Sequence, residues 1–185
     1  DMLNALSLEE RQRARLERDI RRGMDAVLAH GQFILGPEVE QLERELAVFA
    51  GAGHAIAVSS GRDALTIALM AMGVKAGDAV FVPAFTFAAS AGAVVSVGAE
   101  PVFVDVEAET FNMAPADLER AIVETAQAGR LTPRAVMPVD LYGLPADYPA
   151  LAAVAAWHGL QILADAAQSF GGAIGNTRVG ALAQV

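Results

Sequence analysis

Asp165 closes a short apolar run, Ile162-Leu163-Ala164, and the chain continues Ala-Ala-Gln-Ser-Phe-Gly-Gly to Gly172. An apolar run of that kind reads as a strand, and open α/β sheets present their ligand-binding groups at the carboxyl ends of strands. An ionised carboxylate taken out of water needs a cation, a set of donors or continued solvation. A protonated ring nitrogen is one suitable partner. In pyridoxal phosphate chemistry the cofactor is an electron sink, and a carboxylate against its pyridine nitrogen keeps that nitrogen protonated. Gln168, three residues on, would lie on the same side of a turn and could donate to the phenolic oxygen of such a ring. The competing reading, in which Asp165 caps the following turn, stays open on these residues alone.

Two further stretches offer chemistry. At Ala57 to Leu65 a strand-turn-helix pattern sets the hydroxyls of Ser59 and Ser60, and Gly61, at a helix N-terminus, where backbone N–H groups suit a phosphate. Most βα turns hold Gly or Ser for geometric reasons alone, and the stretch fits neither the Walker pattern nor the dinucleotide fingerprint. Phe87 follows an apolar run ending at Val82 and would reach the same sheet edge, where an aromatic ring could stack on a planar ligand or simply join the core. His30, His54 and His158 are scattered without metal-ligand spacing and read as surface or packing residues, so no metal is expected. Asp105 and Asp140 also end strands, with turn and cap duties. The sole lysine, Lys75, lies in a turn.

The elements that must position these groups follow from periodicity. Ser7 and Glu10 form a capping-box pattern opening a helix that should bury Leu16, Ile20, Met24, Val27 and Leu28 as one stripe and end near His30-Gly31. Gly36-Pro37 starts a second helix with Leu42, Leu46 and Phe49 on its apolar face. His54–Val58 reads as the first strand, and 62–72 as a helix with Leu65, Ile67, Leu69 and Met70 buried. Strands follow at 79–82, 101–104 and 134–139, with helices at 86–97, from Pro115, and at 146–158. Alternation of strand and helix predicts an α/β fold in three α/β/α layers around a mostly parallel sheet.

Composition narrows the classes. The 185 residues, 54% of them hydrophobic, can bury a core, while a net charge of -9 excludes non-specific attraction to nucleic acid or to an anionic membrane. With no cysteine there is no disulfide, zinc-thiolate site or thiol nucleophile. No apolar run reaches spanning length and no signal-peptide core is visible, which together predict a soluble cytoplasmic protein.

Several stretches in fixed order carry a more specific signal: Gly31-Gln-Phe-Ile-Leu-Gly-Pro37, Ser59-Ser-Gly-Arg-Asp-Ala-Leu65, Gly77-Asp78, Pro83-Ala-Phe-Thr-Phe87, Pro101-Val-Phe-Val-Asp105, Tyr142-Gly143 and Asp165-Ala-Ala-Gln-Ser-Phe-Gly171. Over nearly the whole chain they resemble the DegT/StrS family of pyridoxal-phosphate sugar aminotransferases, of the fold type I class. The resemblance implies that Asp165 pairs with the pyridine nitrogen of pyridoxal 5'-phosphate, Gln168 meets its ring oxygen, Phe87 stacks on the ring, and Ser60 with the Gly61-Arg62 backbone holds the phosphate. It implies transamination of a nucleotide-linked keto sugar with glutamate as donor, in amino-sugar and polysaccharide biosynthesis, by a homodimer. Val139-Asp-Leu-Tyr-Gly-Leu-Pro-Ala-Asp147 is most similar to the branch acting on UDP-linked 3-oxo sugars of the 2-acetamido-3-oxo-glucuronate type.

Two departures stand out. Arg62 occupies a position where the family commonly has Thr, so a guanidinium replaces a hydroxyl and could clamp phosphate or point elsewhere. The family's Schiff-base lysine lies just beyond the segment corresponding to 180–185, so the chain is expected to be the N-terminal segment and most of the cofactor-binding large domain, with the lysine and the small domain outside it. A related sugar dehydratase, with His in place of that lysine, and a non-catalytic or truncated relative acting by association or regulation are the alternatives.

Overall fold

The computed structural model describes residues 2–183, with side chains described from residue 10 onward. The chain forms two compact units, one ending at Glu45 and one beginning at Leu46.

In the first unit α1 (Met2–His30) is a single long helix, and α2 (Pro37–Ala50), which runs on across the division, opens with Pro at its first position. α1 already runs through Ser7, so the expected start there is corrected; the capping contact itself falls among side chains outside the described residues. The surface is laced with i,i+3 and i,i+4 pairs such as Glu17–Arg21 and Glu40–Arg44. The His30 ring bonds Glu38 at 3.0 Å and holds that carboxyl below its ordinary range. The expected apolar stripe shares one face, but Leu16, Ile20, Met24 and Leu28 are 37% to 65% exposed. Helical spacing dictates which residues share a face and leaves open what covers it.

The second unit is built on a sheet of four parallel strands, β1 (Asp78–Pro83), β2 (Glu100–Val104), β3 (Thr132–Val136) and β4 (Gln161–Ile162), in the order β2-β1-β3-β4. β1 is central and buried along its whole length. Its pleat sends Ala79 and Phe81 into one core, with Val104, Leu118, Ile122, Val136, Leu151 and Ile162, and Val80 and Val82 into the other, with Leu65, Leu69, Val94 and Met137. Helices α5 (Pro115–Ala128) and α6 (Tyr148–Trp157) cover the first face, and α3 (Gly61–Ala71) and α4 (Ala89–Ser96) the second. The expected three-layer α/β arrangement is present.

Chain reversal locates the site. The connection from β1 goes through α4 to β2 on one side, while β3 leads through α6 to β4 on the other. The carboxyl ends of β1 and β3 therefore flank a topological switch point, the crevice where open α/β sheets bind ligands. In the first turn of α5, Asp117 accepts the Asp105 N–H at 2.7 Å, joining the helix start to the end of β2, and the bond lowers the carboxyl's own proton affinity.

Four expectations need correction. His54–Val58 is not among the strands of the structure, and Ile56 is 81% exposed; alternating Ala, Ile and Val favour an extended chain without by themselves making it part of a sheet. Ile67 and Met70 face outward on α3, where only Leu65 and Leu69 are buried. Helix α4 starts at Ala89, not Thr86. Leu42 and Phe49, expected on a buried face of α2, are 49% and 40% exposed. A short hairpin of β5 (Ala173–Ile174) and β6 (Thr177–Arg178), not foreseen, closes the described chain; the Arg178 guanidinium lies over the Phe49 ring, which stacks on Phe170.

Candidate functional site

Asp165 stands just beyond β4, tied to the strand-end segment after β3 by a bridge to Val139 and by its N–H to the Pro138 carbonyl at 2.9 Å. Its side chain is fixed from the opposite layer. Ser90, wholly buried on α4, donates from Oγ to Asp165 Oδ2 at 2.7 Å, and Thr86 Oγ1 lies 3.4 Å from the same serine hydroxyl. Ser90 is one small residue in a helix of Ala, Gly, Ser and Val, and only the fold brings it to a residue 75 positions away. Asp165 is thus a half-buried carboxylate whose Oδ1 accepts the Ala167 N–H at 3.4 Å, the contact of a turn cap, while its Oδ2 is oriented by a hydroxyl, which a cap does not require and which suits a cationic ring N–H.

Gln168 is oriented as firmly. Its Oε1 accepts the Tyr142 backbone N–H at 2.7 Å. A peptide N–H can only donate, so the atom facing it must be the amide oxygen, and the NH2 end is the one left to offer. Tyr142 reaches this position with φ 57 and ψ 16, in the left-handed region that a non-glycine residue adopts only at a cost. Its ring meets Phe111 edge-on at 6.2 Å, and Phe111 meets Phe85 at 5.7 Å, forming an aromatic rim on loops that follow β1, β2 and β3. Phe87, 74% exposed just beyond β1, offers a free ring face at the same edge.

Below Gln168 the loop closes on itself. Gly172 N–H bonds the Ser169 carbonyl at 2.8 Å, and a Cβ on Gly172 would stand 2.9 Å from that oxygen. Ser169 Oγ in turn donates to Asp140 Oδ2 at 2.6 Å. Asp140 is fully buried and also receives the Tyr148 hydroxyl at 2.8 Å and the Ala146 N–H at 2.9 Å. Burial, then the Asp140 charge, pushes the Tyr148 phenol far above its ordinary range. The sequence marked Asp140 only as a strand-end turn residue; its burial was not visible there.

The turn ahead of α3, expected to hold a phosphate, is organised differently. Ser60 caps α3 by accepting the Asp63 N–H at 3.1 Å, while the hydroxyls of Ser59 and Ser60 both donate to the Asp63 carboxylate and lower its proton affinity. Gly61 opens the helix and stands clear of any neighbour that a Cβ would meet. Arg62 sends its guanidinium to α4, where it donates to Ser96 Oγ at 2.9 Å beside Gly92, so its side chain ties two helices together. The candidate residues therefore divide: Asp165, Gln168 and Phe87 gather at the switch-point edge, and Ser60 and Gly61 form a locally capped turn. His30 and His158 each bond a glutamate, Glu38 and Glu119, and no cluster of three or more metal-ligating side chains occurs among the described residues.

Residues 14–185 match the DegT/DnrJ/EryC1/StrS aminotransferase family. The chain belongs to this family. It is 46% identical over 172 residues to UDP-2-acetamido-2-deoxy-3-oxo-D-glucuronate aminotransferase of Pseudomonas aeruginosa, covering 92% of this chain and 45% of that protein. It is 44% identical to a pleiotropic regulatory protein of Geobacillus stearothermophilus, covering 96% of this chain and 45% of that one. The crystal structure of a DegT DnrJ EryC1 StrS aminotransferase from Brucella abortus superposes with TM-score 0.89 at 50% identity, over 91% of this chain and 45% of that structure. The fold is therefore that of the fold type I aminotransferases. The chain spans about 45% of the length of each of these relatives.

Proposed function

We propose that the protein of which this chain is a part is a pyridoxal-phosphate-dependent aminotransferase acting on a nucleotide-linked keto sugar. The observation that carries this is the Asp165 carboxylate, oriented by buried Ser90 at the switch-point edge, with the Gln168 amide presenting NH2 beside it. The donor set fits the cofactor: a carboxylate for a protonated pyridine nitrogen, an amide donor for a phenolate and a helix N-terminus for a phosphate.

When bound, pyridoxal phosphate supplies an electron sink for the carbon that loses and regains a proton. The chain's own residues set its conditions. Asp165 would hold the proton on the ring nitrogen, and Ser90 keeps the receiving oxygen in place. Gln168 would donate from Nε2 to the ring oxygen, and Phe87 would cover one ring face. Ser60 and the Gly61 and Arg62 N–H groups would take the phosphate. Because the Arg62 side chain is engaged with Ser96, its contribution there would be the backbone.

The Pseudomonas relative's name supports a UDP-linked 3-oxo sugar of the 2-acetamido-glucuronate kind as substrate; glutamate as donor and amino-sugar biosynthesis as the setting are what the family resemblance implies. The lysine that carries the cofactor and moves the proton would lie downstream of Val185, this chain supplying the N-terminal segment and most of the large domain of a cytoplasmic homodimer. Aminotransferase names among the relatives favour this over a dehydratase. The Geobacillus relative's name keeps regulation by association as the second reading.

Intact mass before and after borohydride reduction of the purified protein tests the proposal. A chain longer than 185 residues that gains a cofactor-sized increment on reduction supports it. A mass with no reducible adduct, in protein supplied with cofactor, overturns it and leaves the lysine-free readings, the dehydratase and the regulatory relative.

A further inference from the structure

The Asp140 side chain touches none of the side chains assigned above to the cofactor, yet it connects the segments that carry them. A carboxylate with no solvent contact must be compensated by donors, and three reach it. Two come from the stretch leading into α6, the Ala146 N–H and the Tyr148 hydroxyl; the third, Ser169 Oγ, comes from the loop after Asp165. The Asp140 main chain adds a fourth link, its N–H donating to the Asp165 carbonyl at 3.1 Å. Asp165 and Ser169 are therefore both held by one residue, and Gln168 lies between them with its amide oxygen on the N–H of Tyr142, two residues after Asp140.

We propose that Asp140 is a positioning residue for the cofactor: by gripping Ser169 and the Asp165 main chain together it sets the spacing and direction of the Asp165 carboxylate and the Gln168 amide. This rests on the function proposed above. The alternative is that Asp140 merely glues the core, and the two roles make different demands on its donors. Ser169 joins the carboxylate to the cofactor loop, whereas Tyr148 joins it to the base of α6, within the core beneath the sheet. For a core-glue role the two bonds are equivalent.

The test compares Ser169→Ala with Tyr148→Phe in the full-length protein, reading thermal stability, the dissociation constant for pyridoxamine phosphate and the absorbance of bound pyridoxal phosphate. Both variants lower the melting temperature. Positioning predicts that Ser169→Ala weakens pyridoxamine phosphate about tenfold and shifts the absorbance band, while Tyr148→Phe stays within about twofold of wild type with an unshifted band. Equal effects of the two variants on affinity, or an unchanged affinity and band in Ser169→Ala, overturn the positioning role and leave the aminotransferase reading standing. Wild-type protein that binds neither form of the cofactor overturns both.

Discussion

The floor of the candidate site and the turn proposed to take the phosphate are built by opposite means. At the floor, Asp165, Ser90, Gln168, Tyr142, Asp140 and Ser169 are joined by hydrogen bonds between residues 25 to 75 positions apart, and Ser90, Asp140 and Ser169 are buried. At the turn, Ser59, Ser60 and Asp63 satisfy one another within four residues, and all but the partly buried Asp63 are exposed. Floor geometry is thus a property of the folded sheet and costs nothing further when a ligand arrives. Turn geometry is a property of one helix start, whose serine hydroxyls must let go of Asp63 before they can serve an incoming phosphate. Orientation belongs to the floor, and adaptability to the turn.

The sharpest way to break this contrast is at Asp165. Asp165→Ala in the full-length protein should reduce transamination by roughly a thousandfold, on the scale of removing a preorganised electrostatic partner, while the protein stays folded, its thermal midpoint lowered by the lost acceptor for buried Ser90. Near-normal turnover in a steady-state assay would remove the floor from the mechanism.

A second, smaller effect concerns pH. The Tyr148 phenol is held above its ordinary value of 10.0, so the folded state keeps a proton that the unfolded chain gives up. The stability this confers is fully present below pH 10 and is lost as the pH rises above it, at no more than about 1.4 kcal/mol per pH unit. Urea titrations from pH 9 to 11 should show that slope in wild type and a shallower one in Tyr148→Phe. Parallel slopes would mean that the buried network does not hold the phenol's proton.

The smallest effect is expected at the turn. Ser60→Ala removes the cap of α3 and should lower stability by about 1 kcal/mol, with weaker binding of a phosphate-bearing cofactor. Chemical denaturation measures the first and fluorescence titration the second. A loss of several kcal/mol would show that the turn is as tightly built into the fold as the floor.

Much of this division could be read from the chain. Alternating strands and helices gave the layers, because local hydrophobic periodicity dictates element type, and Asp165, Gln168 and Phe87 stood out because they follow strand-like runs. What stayed hidden was long-range. Ser90 looked like one small residue in a small-residue helix, and Asp140 like a turn former, because nothing local signals that a polar side chain will be buried against a residue dozens of positions away. Ile56 and the α1 stripe failed for the complementary reason: periodicity predicts a face, but burial depends on whether anything packs on it.

For anyone redesigning substrate range, the closed loop at Gly172 draws a boundary. Its backbone approaches the Ser169 carbonyl so closely that even alanine would collide, and Val179 Cγ2 would crowd the same methyl at 3.3 Å. Diversity introduced at 172 would be spent on misfolded clones. A library is better placed at Phe85, half-exposed on the rim and free of the left-handed backbone that constrains the choice of residue at Phe111 and Tyr142.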